Sequence, residues 1–511
     1  EIIGNFHLIS KRDALLNAHF PKSQEYLTKA QYRLKFEELF FIQLQLLTKK
    51  LINKTKIKGV VFENVGSHFT TFYDNYLPFE LTNAQKRVLK EIRKDVGSGA
   101  QMNRLLQGDV GSGKTIVALL SMLLAIDNGF QATMMAPTEI LATQHYHAIS
   151  ELLSSMDLQV ALLTGSVKAK KRREIHQQLE DGSLHILIGT HALLEDKVKY
   201  KNVGIAIIDE QHRFGVAQRS KLWKKNTTVP HILVMTATPI PRTLAMSVYG
   251  DLDISVIDEL PPGRKEVKTV HRFDRNRLSV FKFMKDEIDK GRQIYVVYPL
   301  IQESEAMDYK DLMDGYESIS REFPAPNYQI SIVHGQMKPA DKEYEMQRFV
   351  KGETQIMVAT TVIEVGVNVP NASVMIIESS ERFGLSQLHQ LRGRVGRGAD
   401  QSYCILLSSY KLSEEGKTRL KTMVETTDGF KIAEVDLKLR GPGNLMGTQQ
   451  SGVLNLKIAD VVKDSQILVA ARNTAISLLQ EDSNLSKPEN ANINRAYSIL
   501  SKNSKIWSNI S

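Results

Sequence analysis

The segment Gly108-Asp109-Val110-Gly111-Ser112-Gly113-Lys114-Thr115 limits what this chain can fold into more than any other stretch. Its G-x-x-x-x-G-K-[ST] pattern follows a candidate strand, Arg104–Gln107, and opens a candidate helix, Thr115–Ala125. Strand, glycine-rich loop and helix in that order curl backbone N–H groups around a phosphate, with the positive end of the helix behind them. In this pattern Lys114 can reach the β- and γ-phosphates, and the Thr115 hydroxyl can ligate Mg²⁺.

The 511 residues leave room for roughly three or four domains of about 150 residues each. With 42% hydrophobic and 24% charged residues, collagen-like, disulfide-scaffold and wholly disordered chains are excluded. A net charge of +9 is a modest excess that suits a polyanion such as nucleic acid. The single cysteine, Cys404, excludes an internal disulfide and fits a reducing compartment. No run approaches the ~18 apolar residues of a membrane span, and Glu1-Ile2-Ile3-Gly4 opens no signal peptide. The chain starts without Met, as expected of a piece of something longer.

Residues 1–77 read as mainly helical. Between Ser23 and about Lys54, apolar residues crowd at Tyr32, Leu34, Phe36, Leu39, Phe40, Phe41, Leu44, Leu46, Leu47 and Leu51. That density predicts one long helix packed on more than one side. From about Pro78, short apolar runs alternate with amphipathic segments. Arg104–Leu106, Ala132–Ala136, His185–Gly189 and Ile205–Asp209 predict strands. The alternation pauses at Leu260-Pro261-Pro262-Gly263-Arg264 and resumes with Gln293–Tyr298, Gln329–Val333, Ile356–Ala359, Val374–Glu378 and Tyr403–Leu407. Two successive parallel-sheet α/β domains, 78–258 and 259–410, are therefore expected. Beyond Lys411, the runs Ser413–Glu425 and Phe430–Leu439 flank Thr427-Asp428-Gly429 as a helical hairpin. A Gly-rich loop is expected at Arg440–Gly452, and the 411–511 region closes with a short helix or two.

Three further segments carry chemistry. An apolar strand ends in Asp209-Glu210-Gln211-His212. At the carboxyl end of a parallel strand Asp209 is placed to hold Mg²⁺, often through water, and Glu210 to orient and deprotonate an attacking water. Thr236-Ala237-Thr238-Pro239 follows the apolar run Ile232–Met235. Its hydroxyls can bond those carboxylates and report phosphate state, although a Ser/Thr turn stopped by proline has the same pattern. In Gln390-Leu391-Arg392-Gly393-Arg394-Val395-Gly396-Arg397, Arg394 and Arg397 are spaced to share a helical face and point into a cleft. Guanidinium groups there stabilise charge on a transferring phosphoryl group. No His/Cys/Asp cluster has structural metal-ligand spacing, so no zinc site is expected.

Taken in order, these segments resemble a superfamily 2 helicase motor of two tandem RecA-like domains. Phe79-Glu80-Leu81-Thr82-Asn83-Ala84-Gln85 resembles the segment that reads adenine, with Gln85 as the amide. Ala136-Pro137-Thr138-Glu139, Thr164-Gly165-Ser166 and Gly189-Thr190-His191 resemble strand-end loops that grip a nucleic-acid backbone. Residues 359–367 and 390–397 resemble the fifth and sixth motifs of such motors. Closer features are similar to the RecG family of fork-remodelling DNA translocases. These are Arg33-Leu34-Lys35-Phe36-Glu37-Glu38-Leu39, Leu77–Thr82, Asp258–Arg264 and the run Arg440–Gly452, which resembles that family's translocation motif.

The resemblance implies ATP and Mg²⁺ as cofactors. It implies nucleotide contacts at Phe79, Gln85, Gly108, Gly111, Ser112, Gly113, Lys114, Thr115 and Gln390, with Mg²⁺ at Thr115 and Asp209. Catalysis would fall to Lys114, Asp209, Glu210, Arg394 and Arg397. Coupling to DNA would fall to Gln211, His212, Thr236, Thr238, Arg440 and Gln450. The implied activity is that of a monomeric ATP-driven translocase on duplex and branched DNA, regressing stalled replication forks and migrating Holliday junctions in repair and recombination. Single-stranded-DNA-binding protein is a further implied partner, and the bacterial cytoplasm, at the nucleoid, the implied location, with no membrane. The family also carries an N-terminal wedge of oligonucleotide-binding type. The 77 residues ahead of the motor are helical and too few for that barrel, so a RecG body without its wedge is expected.

Other motors share parts of this pattern. A transcription-repair coupling translocase differs in the leading helix, and a DExH RNA helicase lacks the 440–452 run. Motors that push polypeptide through membranes would be stimulated by unfolded protein rather than by branched DNA.

Overall fold

The computed structural model describes residues 2–209, 228–236, 241, 245, 252–261, 265–299, 305–360, 369–396, 398, 400–444 and 456–503. Sixteen α-helices run through them. The first four, α1 (Ile2–Asn5), α2 (Lys11–His19), α3 (Gln24–Lys56) and α4 (Ser67–Thr71), precede the motor. The next four, α5 (Asn83–Val96), α6 (Lys114–Asp127), α7 (Glu139–Leu152) and α8 (Ala169–Asp181), belong to the first α/β domain. The second holds α9 (Arg277–Asp289), α10 (Glu305–Glu322), α11 (Pro339–Val350) and α12 (Leu385–Arg392). The last four are α13 (Glu414–Glu425), α14 (Gly429–Asn444), α15 (Ser465–Glu481) and α16 (Ala491–Asn503). No helix among the described residues is long and apolar enough to cross a membrane.

The first sheet holds β1 (Asn103–Gly108), β2 (Gln131–Met135), β3 (Val160–Leu163), β4 (Ile186–Gly189), β5 (Val203–Asp209), β6 (His231–Thr236) and β7 (Asp253–Ile257). Their spatial order is β3-β4-β2-β5-β6-β1-β7, and every pairing is parallel. The second sheet holds β8 (Lys268–Phe273), β9 (Gln293–Tyr298), β10 (Ile330–Val333), β11 (Ile356–Thr360), β12 (Ala372–Ile377) and β13 (Tyr403–Ser408), ordered β10-β11-β9-β12-β13-β8 and again parallel. Central strands such as β5 and β9 are buried along their whole length, so they read as unbroken apolar runs. Strand β3, implied only by the strand-end loop at Thr164-Gly165-Ser166, and strands β7 and β8, not singled out by the apolar runs, all lie at sheet edges. There one side of the strand is unpaired and the apolar run is short or polar, as in Lys-Thr-Val-His-Arg-Phe of β8.

Each sheet is covered on both faces. Val88, Ile92, Val117, Leu120 and Ile149 fill one side of the first sheet, and Ile175, Leu179, Leu193 and Val198 the other. Each such side chain contributes about 1.5–3 kcal/mol by leaving water.

From sequence, 1–77 and 411–511 are separate segments, but the structure joins them. Phe36, Leu39, Phe40 and Leu44 of α3 pack with Leu468, Ala471, Ala475 and Leu478 of α15 in a fifth core. Glu38 of α3 accepts bonds from the Lys457, Ile458 and Ala459 amides at 2.6, 3.1 and 2.8 Å, and Lys35 pairs with Asp464 at 2.9 Å. Further along α3, Lys50 pairs with Asp253 of β7 at 2.6 Å, tying the same helix to the first sheet. The hairpin forms as α13 and α14. Its second helix continues to Asn444, so the first five residues of the expected Gly-rich loop are helical. Residues 445–452 of that loop lie outside the described residues.

Candidate active site

Parallel pairing brings three sequence-distant positions to one edge of the first sheet. Asp209 stands opposite Met235, and Thr236 opposite Gln107, the residue before Gly108. The phosphate loop, Thr236 and Asp209 therefore sit at the carboxyl ends of neighbouring strands, where ligands of open α/β sheets bind.

The loop is built around glycine. Gly111 and Gly113 hold φ of +77° and +84°, a left-handed backbone that a side chain disfavours. A Cβ on Gly113 would run into the Gln85 amide, and one on Gly108 into Ser112 Oγ. The Lys114 ammonium donates to the Gly108 and Asp109 carbonyls, each at 2.8 Å. Ser112 Oγ is buried with no hydrogen-bond partner among the described residues. Bare glycines, a lysine, a helix N-terminus at Lys114 and an unpartnered hydroxyl fit a polyphosphate. Thr115 lies in the first turn of α6.

Gln85 is fully buried. Its carbonyl accepts the Thr82 amide at 2.9 Å in a capping box, and its NH₂ donates to Ser112 O at 2.9 Å. It thus braces the loop and retains one donor and one acceptor site. Phe79 is 39% exposed.

Asp209 is buried, and its Oδ2 lies 2.8 Å from His145 Nε2 on α7. A carboxylate oxygen and the Thr115 hydroxyl are hard donors suited to Mg²⁺, which is held by one or two side chains plus phosphate and water. Among the described residues no three His, Cys, Asp or Glu gather as a metal cluster, and such a Mg²⁺ site needs none. Glu210, Gln211, His212, Thr238, Arg397 and Gln450 lie outside the described residues, as does the Arg440 side chain.

The second domain meets the loop directly. Gly393, at the end of α12, sits so close to Val110 that an added Cβ would lie 2.7 Å from Val110 Cβ. His389 Nε2 is 2.6 Å from Asp109 Oδ1. Arg392 Nη2 donates to His389 Nδ1 at 3.0 Å, which leaves Nδ1 bare and the ring proton on Nε2, donated to Asp109. Nη1 of Arg392 also donates to the Met423 and Thr426 carbonyls, both at 2.9 Å, at the end of α13. A buried chain of hydrogen bonds therefore links the phosphate loop to the hairpin. Burial, the largest single influence, would raise the Asp109 carboxyl, but the His389 contact, the Val110 amide and the Lys114 charge together outweigh it and hold the group below its ordinary value.

One expectation is corrected here. Arg394 does not share a helical face with position 397, because α12 ends at Arg392 with Gly393 as its cap. Gly396 then takes φ +79°, turning the chain away. Arg394 sits in that turn, half-buried, and Gln390 is half-buried in the last turn of α12. Sequence reasoning missed His389, Arg392 and His145. The first two stand inside or beside the Gln390–Arg397 run and could have been weighed with it. His145 carries no local signal.

The strand-end loops line the other half of the same sheet edge, after β2, β3 and β4. Thr138 caps α7 by accepting the Leu141 amide at 3.3 Å. Glu139 Oε1 accepts the Ser166 amide at 3.3 Å, and Thr164 and Ser166 share a hydroxyl bond of 2.9 Å.

Residues 82–247 match the model of DEAD/DEAH box helicases, and 279–399 that of the helicase conserved C-terminal domain. Residues 426–511 match "ATP-dependent DNA helicase RecG, domain 3, C-terminal". The chain is 48% identical to ATP-dependent DNA helicase RecG of Synechocystis sp., over 95% of its own length and 58% of that protein's. It is also 48% identical to the Streptococcus pneumoniae RecG helicase, over 94% of its own length and 72% of that protein's. Among solved structures it is similar to RecG bound to a three-way DNA junction, with TM-score 0.73 and 43% identity over 91% of this chain and 61% of that one. Saccharomyces cerevisiae Dbp5 bound to RNA, 15% identical with TM-score 0.52, shares the fold of the two α/β domains. The chain spans less than two thirds of the Synechocystis relative and of the junction-bound structure.

Proposed function

Because the chain belongs to the RecG family of ATP-dependent DNA helicases, we propose that it hydrolyses ATP to move along double-stranded DNA and to remodel branched DNA. Fork regression and Holliday-junction branch migration in repair and recombination are the tasks in view. One observation carries this reading: the second domain closes directly on the phosphate loop, with His389 on Asp109 and Gly393 on Val110.

Lys114 exchanges two loop carbonyls for the β- and γ-phosphates of ATP, and the loop amides with the α6 N-terminus take the remaining charge. Gly108, Gly111, Ser112 and Gly113 shape that cradle, Gln85 braces it, and the exposed Phe79 ring can stack on the base. Gln390 reaches the nucleotide from the second domain. Thr115 and Asp209 would hold Mg²⁺, which when bound neutralises charge between the β- and γ-phosphates. Glu210 orients the attacking water and takes its proton. Arg394 and Arg397 approach from the other domain and stabilise transition-state charge, so hydrolysis waits for closure.

Loops 136–139, 164–166 and 189–191 grip the DNA backbone, making affinity salt-dependent and blind to base sequence. Gln211, His212, Thr236 and Thr238 join that grip to the phosphate site. Arg440, in the last part of the hairpin that Arg392 ties to the loop, and Gln450, further along the chain, transmit closure to the duplex. The protein acts as a monomer in the bacterial cytoplasm, at the nucleoid, with single-stranded-DNA-binding protein as a further partner.

ATP turnover measured with forked DNA, plain duplex, single strands and RNA tests this. Forked and duplex DNA should stimulate hydrolysis, less so as salt rises. Equal stimulation by RNA or by unfolded protein would overturn the reading.

A further inference from the structure

We propose that His145 is a positioning residue for Asp209, and that through α7 it sets the metal-site carboxylate according to how the two domains stand. The inference rests on the ATP-site reading above.

His145 Nε2 and Asp209 Oδ2 are 2.8 Å apart, with side chains only 13% and 12% exposed. An ionised carboxylate can only accept, so Nε2 carries the proton and donates it. A charge-assisted bond in a nearly dry setting fixes the plane of the carboxylate and engages one of its two oxygens. With its plane fixed, the Asp209 carboxylate would be oriented in advance to hold Mg²⁺, directly or through water. A ligand whose rotamer is unsupported must be ordered at the moment of binding, and loss of such a support typically costs 10–100-fold in metal affinity.

The helix that carries His145 is in an unusual place. Its first turn bears Ile140, which packs against the core of the second domain rather than that of its own. It also bears Glu139, which accepts the Ser166 amide and so ties α7 to the neighbouring strand-end loop. His145 follows about 9 Å beyond Glu139 along the axis. One rigid helix therefore touches the second domain, the loops assigned to DNA and the carboxylate at the end of β5. A hydrogen bond weakens steeply as donor and acceptor part from 2.8 Å, so a displacement of α7 by about 1 Å is enough to break the His145 contact to the carboxylate. Closure and DNA grip then act on Asp209 through His145, in addition to bringing Arg394 to the site.

The substitutions are His145→Ala, His145→Asn and His145→Gln in the whole chain. Gln places an amide N–H near the Nε2 position, whereas Asn is too short and Ala has no donor. The main readout is binding of Mn²⁺ in the presence of ADP, followed by electron paramagnetic resonance and needing no turnover. ADP affinity without metal and the thermal midpoint are measured beside it. His145→Ala and His145→Asn should weaken Mn²⁺ binding by about 10-fold or more, with metal-free ADP affinity unchanged, while His145→Gln stays within about twofold of the parent. Parent-like Mn²⁺ affinity in the Ala variant, or equal losses in all three, would overturn the proposal. A parent chain that binds ADP but no Mn²⁺ would overturn it together with the metal assignment beneath it. A parent that binds no ADP would overturn the ATP-site reading itself.

Discussion

His389 of the second α/β domain donates its Nε2 proton to Asp109 of the phosphate loop across 2.6 Å, a contact between residues 280 positions apart. His389 in turn accepts from Arg392, whose guanidinium holds the carbonyls that end α13. The folded Asp109 carboxyl titrates below its ordinary value, so its contribution is present above the unfolded value and is lost only as pH falls through the lower one. The contact therefore persists throughout the neutral range. A double-mutant cycle with Asp109→Ala and His389→Ala should give a coupling of about 1.5–3 kcal/mol, the range for a hydrogen bond to a charged group. Chemical denaturation of the four proteins measures it, and additive losses would show that the contact is energetically empty.

Arg394 lies in the turn beyond α12 and Arg397 three residues on. The Arg397→Ala variant should lower turnover far more than ATP affinity, because a finger acts on transition-state charge and can be worth about 10³–10⁵ in rate. Arg394→Ala is the companion test, since the turn, not a shared helical face, presents that side chain. Steady-state kinetics with fluorescence-detected nucleotide binding separates the two effects. Unchanged turnover in both variants would remove the second domain from catalysis.

A third expectation concerns stability. His231 at the start of β6 is buried, accepting the Met102 amide on Nδ1 at 2.9 Å and meeting Val60 O through Nε2 at 2.7 Å. Burial drives its pKa down from 6.5 to about 4. The unfolded chain thus takes up a proton that the folded chain refuses, so stability is full above the unfolded value and falls as pH drops toward the folded one. The full loss is about 3 kcal/mol, of which about 2 is reached by pH 5. Urea denaturation near pH 7.5 and near pH 5 should show that loss, and His231→Gln should flatten its share of the slope. Parallel pH profiles for parent and variant would contradict the assignment.

The parts of this site legible in sequence are those whose chemistry is local. The phosphate loop announces itself because loop, lysine and helix start are contiguous. Asp209 does so because a fully buried strand must be apolar until its last residue. Central strands were readable for the same reason, whereas the edge strands β3, β7 and β8 carry too little apolar sequence to stand out. The spacing of Arg394 and Arg397 suggests a common helical face, but the helix ends at Arg392 with Gly393 as its cap, ahead of both residues, and Gly396 at φ +79° stands between them. His145–Asp209 and Asp109–His389 were invisible because parallel crossovers and domain packing join residues 64 and 280 positions apart. Nothing in a linear pattern encodes which histidine will meet which carboxylate. The union of α3 with α15 was hidden likewise, since the apolar density of α3 shows that something must cover it but not what.

The account turns on hydrolysis at the Lys114 loop driving movement along duplex DNA. Displacement of a triplex-forming strand from a plain duplex measures that movement without requiring strand separation. The parent chain should release the third strand with ATP and fail to do so with a non-hydrolysable analogue. Lys114→Ala should bind duplex DNA but release nothing, because no other cation in the loop can take its place on the β/γ-phosphates. Release by Lys114→Ala, or a parent chain whose DNA-stimulated hydrolysis displaces no third strand, would contradict it.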